Sequence, residues 1–165
     1  LEITFTPWRL DYIKSNKREE GCIFCKAFEE QPSFDNLVVF KGQFSAILLN
    51  RFPYNNGHLL VVPKTHSDSL FSLPEEEKLE LSKLLCFSEA ALRKIYEPQG
   101  INVGMNLGEA AGAGIVDHIH FHILPRWKGD TNFVTVTGNL RVIPEALRDT
   151  YEKVKNFFKE NPPSF

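Results

Sequence analysis

The chain has 165 residues, 42% of them hydrophobic and 24% charged, with a formal net charge of −2 at pH 7. That length suits one domain of the common size, roughly 100–200 residues, and the apolar share excludes a disordered chain. The near-neutral balance excludes a basic nucleic-acid clamp driven by bulk electrostatics, but not a small phosphorylated ligand held by a few placed groups.

No apolar run reaches the ~18 residues of a membrane helix, so no membrane partner is expected. The start carries no signal-peptide pattern. Three cysteines argue against a disulfide scaffold and for a reducing, cytoplasmic setting. The fourteen phenylalanines read as core and pocket material.

In chain order, residues 1–20 mix the aromatic anchors Phe5, Trp8 and Tyr12 with a charged stretch and read as an arm or short helix. Cys22 and Cys25 follow, then a polar loop over 31–36. Residues 37–40 and 44–49 are short β-rich runs separated by Lys41, Gly42 and Gln43, which predicts a hairpin. A loop rich in Pro, Asn and Gly spans 50–57, and a third strand over 58–62 ends at Pro63. A long helix is predicted from about Pro74, with Ser72 and Glu75 as a capping box and Glu75, Glu76 and Glu77 at its positive end. Leu81, Leu84, Leu85, Leu92 and Ile95 mark its buried face, and Pro98 and Gly100 stop it. Cys86 on this helix reads as a small core residue.

Further on, 101–107 reads as a strand, 108–114 as a small-residue loop and 116–124 as another strand. Residues 129–140 have a β-rich centre at 133–136. A closing helix over 144–158 carries the stripe Leu147, Tyr151, Val154 and Phe158. This order predicts an α+β fold with an antiparallel sheet and helices on one side.

The densest chemical signal is the alternation of His118, His120 and His122 with Ile119, Phe121 and Ile123. Strand side chains alternate faces, so three imidazoles would share one face. A purely structural strand explains one buried histidine but not three in register, because each needs hydrogen-bond partners. In-line imidazoles suit metal binding or nucleophilic chemistry at phosphorus, since a neutral ring nitrogen is available at pH 7. The preceding stretch, Asn106 to Gly114, is rich in glycine and alanine and would let backbone amides approach anionic oxygens as a phosphate cradle. Cys22 and Cys25 form a Cys-x-x-Cys pair, which by itself fits a redox or a metal role.

Residues 118–124 match the His-φ-His-φ-His-φ-φ motif, where φ is apolar, and the chain thereby resembles the histidine-triad superfamily. The block from Asn50 to Lys64, which contains Pro53, Gly57, His58 and Pro63, resembles the family's nucleotide-side loop and strand. The resemblance implies a triad-type α+β fold: one antiparallel five-stranded sheet, one long helix, one C-terminal helix and a two-fold homodimer. It implies a single domain over 1–165, with a core of about 22–127, an N-terminal arm over 1–21 and a C-terminal extension with its helix over 128–165.

The same resemblance implies roles. His120 would be the nucleophile, His122 would contact the phosphate or bridging oxygen, and His58 would order the triad. Asn50 would bind the ribose, Leu48 and Leu60 would line the base pocket, and Asn106 would face the phosphates. Many hydrolase and phosphoramidase members carry Gln then Ser or Thr before the triad. Here Gly114 and Ile115 take those places, so phosphate contact would fall on backbone amides, Gly112 and Gly114 among them. Related proteins bind zinc through a cysteine pair and two histidines, which implies a structural Zn²⁺ held by Cys22, Cys25, His66 and His118.

The blocks around Trp8, Asn102 to Gly108, Pro125 to Trp127, Gly129 to Phe133 and Arg141 to Pro144 are similar to one branch, the bacterial diadenosine tetraphosphate phosphorylases. That similarity implies cleavage of diadenosine tetraphosphate by phosphate to ADP and ATP. Lys64, Arg126 and Lys128 are cationic candidates for the polyphosphate. A dinucleoside polyphosphate hydrolase, a nucleoside phosphoramidase, a nucleotide-binding adaptor and a zinc-structured interaction module are the rival readings.

Overall fold

A computed structural model describes residues 21–130 and 143–163. The expected arm, the β-rich centre at 133–136 and the block at 141–142 lie outside the described residues. Five strands form one antiparallel sheet: β1 (Val38–Lys41), β2 (Ser45–Leu49), β3 (Leu59–Pro63), β4 (Gly100–Gly104) and β5 (Phe121–Arg126). Their order is β1-β2-β3-β5-β4, so β5 inserts between β3 and β4. Among the described residues there are three α-helices: α1 (Ile23–Glu29), α2 (Glu75–Tyr96) and α3 (Leu147–Glu160).

The two sheet faces carry different layers. On one face Ile47, Leu49, Leu59, Val61 and Ile123 pack with Leu81, Leu84 and Leu92 of α2 and Tyr151, Val154 and Phe158 of α3. This is the main core, built by period-2 alternation in the strands and helical spacing in the helices. On the other face Val38, Ala46, Leu48, Leu60 and Val62 pack against Phe24 and Ala27 of α1. The helices therefore do not all lie on one side, as expected from the sequence. The short α1 covers the second face, because β2 and β3 are buried along their whole length and each apolar face needs a cover.

The predicted helical stripes hold. Leu81, Leu84 and Leu92 are buried, with Leu85 and Ile95 packed against them. The capping box does not form: α2 has Pro74 at its N-cap with no side-chain cap. The Ser72 hydroxyl donates to the Ser69 carbonyl at 3.0 Å instead. Two acidic residues of α2 turn inward. Glu77 accepts from the Thr65 amide at 2.8 Å, and Glu80 accepts from the Phe44 and Ser45 amides at 3.0 and 2.8 Å. Both satisfy backbone donors at loops where the sheet ladder ends. Cys86 is exposed, not a core residue, since it falls on the solvent side of α2.

Strand limits also shift. β4 ends at Gly104, and residues 105–107 leave the ladder. β5 begins at Phe121, so His118 and His120 precede the regular strand. The alternation nevertheless persists: Ile119 and Ile123 enter the main core, while His118 and His120 lie against Phe24 on the other face.

Candidate functional site

The site lies on the α1 face. Register aligns Val38 with Leu48, Leu48 with Leu60, and Leu60 with His122. An apolar row thus leads across three strands to the last triad histidine. Gly104 stands beyond it, opposite His122 on β4, with open space where a Cβ would be. Leu48 and Leu60 are buried in this row.

The loop between β2 and β3 supplies the fourth histidine. Its ends are tied by the Asn50 amide donating to the His58 carbonyl at 2.9 Å. Inside it, the Asn50 side-chain oxygen accepts from the Phe52 amide at 2.9 Å, a local turn typical of Asn. Gly57 (φ +72°) brings the loop back against α2. His58 then sits beside His122, with its Nε2 at 2.9 Å from His122 Nδ1.

Hydrogen-bond partners settle where each proton sits. The Tyr54 amide donates to His58 Nδ1 at 3.0 Å, and an amide can only donate. His58 therefore carries its proton on Nε2 and donates it to His122 Nδ1. His122 in turn carries its own proton on Nε2. His120 Nδ1 lies 3.1 Å from the His118 carbonyl, which can only accept, so the lone pair of His120 is on Nε2. His118 Nε2 lies 2.9 Å from the Pro63 carbonyl, so its lone pair is on Nδ1. Burial lowers the pKa of His118 and of His120. Burial, then the neighbouring His120, lowers that of His122 to about 4. All three rings are neutral at pH 7, so His120 carries a bare Nε2 while His122, its ring centroid 4.9 Å away, carries an Nε2–H. That pair can attack an electrophilic phosphorus and donate a hydrogen bond to a leaving oxygen.

The bare Nδ1 of His118 points to a different cluster. Cys22, Cys25, His66 and His118 each offer a ligand atom, and these atoms lie within 4.8 Å of one another. Cys22 Sγ and Cys25 Sγ stand 3.3 and 3.7 Å from His118 Nδ1, and Cys25 Sγ stands 3.3 Å from His66 Nδ1. A tetrahedral ion at ordinary Zn–S and Zn–N distances separates sulfur from nitrogen by about 3.5 Å. The donor set and its spacing fit such an ion. Burial and the adjacent Cys22 raise the Cys25 pKa, a cost that a bound cation reverses by favouring the thiolate.

Of the other expected site residues, Asn106 lies two residues beyond Gly104, the partner of His122, and donates to the Gly112 carbonyl at 3.3 Å, which ties the 108–114 loop to it. Gly112 (φ +91°) closes the 3-10 turn Glu109–Ala111, and Gly114 borders open space. Lys64 and Lys128 are exposed. Arg126 is not an available cation. Its guanidinium binds Asp130 through Nε and Nη2 at 2.6 and 2.8 Å and Asn102 through Nη1 at 2.8 Å. Three contributors escape the motif reading: the Tyr54 amide, Asn55 and Asp130. Their signal was the Asn-rich loop and the turn after the triad, where polar side chains bond backbone over short spans.

The HIT domain family profile matches residues 31–129. The AP-4-A phosphorylase of Mycobacterium tuberculosis is 39% identical over 160 residues, covering 91% of this chain and 80% of that protein. The chain belongs to the HIT family. Among solved structures, a hypothetical histidine triad nucleotide-binding protein of Sulfolobus tokodaii has a TM-score of 0.63 at 25% identity, covering 84% of this chain and 90% of the other. A Zn-bound histidine triad family protein of Mycobacterium smegmatis has a TM-score of 0.62 at 25% identity, covering 85% and 94%. Among the described residues of this HIT chain, no helix is long and apolar enough to cross a membrane.

Proposed function

We propose that this protein is a phosphorylase that cleaves diadenosine tetraphosphate with inorganic phosphate to ADP and ATP. The observation that carries the reading is the proton arrangement of the triad: a bare His120 Nε2 beside a His122 Nε2–H. The similarity to the mycobacterial AP-4-A phosphorylase supports the substrate. In the first step His120 Nε2 attacks the phosphorus next to one adenosine and forms a P–N bond. The bond from that phosphorus to the bridging oxygen breaks, and ATP leaves as a phosphate anion whose oxygen accepts a hydrogen bond from His122 Nε2–H. In the second step an oxygen of phosphate attacks the adenylyl phosphorus. The P–N bond breaks, its electron pair returns to His120 Nε2, and ADP leaves carrying the proton that the phosphate brought, while His122 keeps its Nε2–H.

His58 keeps His122 oriented for both transfers. Leu48 and Leu60 line the base pocket, Asn50 holds the ribose, and Asn106 with the amides at Gly112 and Gly114 receives phosphate oxygens. Cys22, Cys25, His66 and His118 hold a structural Zn²⁺, supported by their spacing and by the zinc-bound mycobacterial relative. The ion's role there would be structural: these four residues would fix His118 through it, and the His118 carbonyl sets the His120 proton. β4 forms one edge of the sheet with Val103 52% exposed, which supports a homodimer that buries this edge.

Product analysis tests the reading. Phosphate-dependent ADP and ATP are expected, and His120→Ala should lower turnover by at least about 1,000-fold while nucleotide still binds. AMP and ATP formed without phosphate would make the enzyme a hydrolase, and undiminished turnover by His120→Ala would remove the nucleophile assignment.

A further inference from the structure

The Asp130 carboxylate collects hydrogen bonds from three parts of the fold. Arg126 on β5 donates twice, at 2.6 and 2.8 Å. The Trp127 amide donates at 3.2 Å, and the Asn55 side-chain amide donates at 3.1 Å. Arg126 also reaches Asn102 on β4 at 2.8 Å, which anchors the carboxylate to the sheet. The Asp130 side chain is only 14% exposed, and Arg126 beside it has its pKa raised. This is a charge-assisted junction with fixed bidentate geometry.

Asn55 is the only member of the junction on the β2–β3 loop among the contacts described. Its side-chain amide also reaches the Pro125 carbonyl at 3.3 Å, so both contacts pull the loop toward the end of β5. Asn55 directly follows Tyr54, whose amide holds His58 Nδ1, and the Asn55 carbonyl accepts from the His58 amide at 3.3 Å. Moving Asn55 therefore moves two of the backbone groups that hold His58, among them the one on its ring.

We propose that Asp130, acting through Asn55, is a positioning residue for the hydrogen-bond chain that runs from His58 to His122. The junction holds the Tyr54 amide on His58 Nδ1. That contact forces the His58 proton onto Nε2 and so keeps the His122 proton on the nitrogen that faces the reaction. Neither Asp130 nor Asn55 touches a reacting atom. Three of the four bonds, Asn55's among them, end on Asp130 Oδ2; asparagine at 130 has one acceptor oxygen and no charge, so it weakens the Arg126 pair that anchors the junction and loosens the loop while keeping the shape of the side chain.

The proposal rests on the phosphorylase reading for its kinetic arm but not for its spectroscopic one. Asp130→Asn and Asn55→Ala are compared with the wild type in the full-length protein. Nitrogen-15 spectra of the histidine rings at pH 7 report which nitrogen of His122 carries the proton, with no substrate present. Turnover is followed with diadenosine tetraphosphate and inorganic phosphate. We expect His122 to be protonated on Nε2 in the wild type and to show mixed tautomers in both variants. We expect kcat to fall about 10- to 100-fold while KM changes less than about threefold. A variant that melts earlier yet keeps the wild-type His122 tautomer and kcat overturns the proposal and makes the junction a stability element alone. Asn55→Ala keeps the Arg126–Asp130 pair, so it tests the hydrogen-bond chain if Asp130→Asn fails to fold. A wild type that shows no phosphate-dependent cleavage, together with the tautomer change in the variants, removes the phosphorylase reading and supports the junction.

Discussion

Replacing Gly57 with alanine should both destabilise the protein and slow it. Gly57 is buried with φ +72°, and a Cβ there would stand 2.7 Å from Tyr96 Cε2 and 3.1 Å from Leu92 Cδ2. Holding an L-residue in the left-handed region costs about 1 kcal/mol. Forcing a methyl against packed neighbours adds about 1–3 kcal/mol. Neither neighbour yields easily: Leu92 is fully buried, and the Tyr96 hydroxyl is tied to Glu145 at 2.9 Å. The sum is about 2–4 kcal/mol, which for a chain of this size lowers Tm by roughly 5–15 °C. The loop is the part free to retreat, and it carries His58 away from His122, so kcat falls with it. Calorimetry on Gly57→Ala, Tyr96→Ala and the double variant separates the two costs. Removing the ring should recover the packing portion, a coupling of about 1 kcal/mol or more. A Tm within about 2 °C of wild type, or a strictly additive cycle, would refute the close approach of this loop to α2.

Other outcomes follow from the same geometry. Chelation, or Cys25→Ser, should release about one zinc ion per chain and lower Tm, measured by metal analysis and calorimetry; no bound metal in the purified protein would remove the cluster assignment. His122 has its folded pKa depressed to about 4, so below its ordinary value the unfolded chain binds more protons than the folded one. Its contribution is therefore complete above pH 6.5 and is lost as pH falls toward 4. That lowers stability by at most about 2 kcal/mol between pH 7.5 and 5, less what solvent screening removes. Urea titrations of wild type and His122→Gln at the two pH values should show a flatter response in the variant. Glu80→Ala strands the Phe44 and Ser45 amides and should cost about 2–4 kcal/mol in urea unfolding, whereas Glu80→Gln, which keeps an acceptor oxygen, should cost less than half as much.

The triad shows how far a linear pattern reaches. Alternation alone placed His118, His120 and His122 on one face, and the structure keeps that alternation even where the ladder has not yet begun. The stripes of α2 and α3 were equally legible, because a 3.6-residue period needs only the sequence to be seen. The Cys22, Cys25, His66 and His118 set was legible as types, but its convergence depends on α1 crossing the second sheet face. That crossing had no local signature. Arg126 read as a cationic candidate because charge is a property of the residue, whereas its engagement depends on a turn that brings Asp130 back to it and on Asn102 of the neighbouring strand. Glu77 read only as a charge suited to the positive end of the helix, and its contact with the Thr65 amide is equally a product of the fold.

The sequence by itself therefore determined which residue types share a face, where the two longer helices run and which chemistry the chain can support. Those features depend on spacing along one strand or one helix. The tertiary structure decided which ring nitrogen carries each proton, because that choice is made by the carbonyls of His118 and Pro63 and the amide of Tyr54. Such groups are present in every residue, and only the fold determines which of them meets which imidazole.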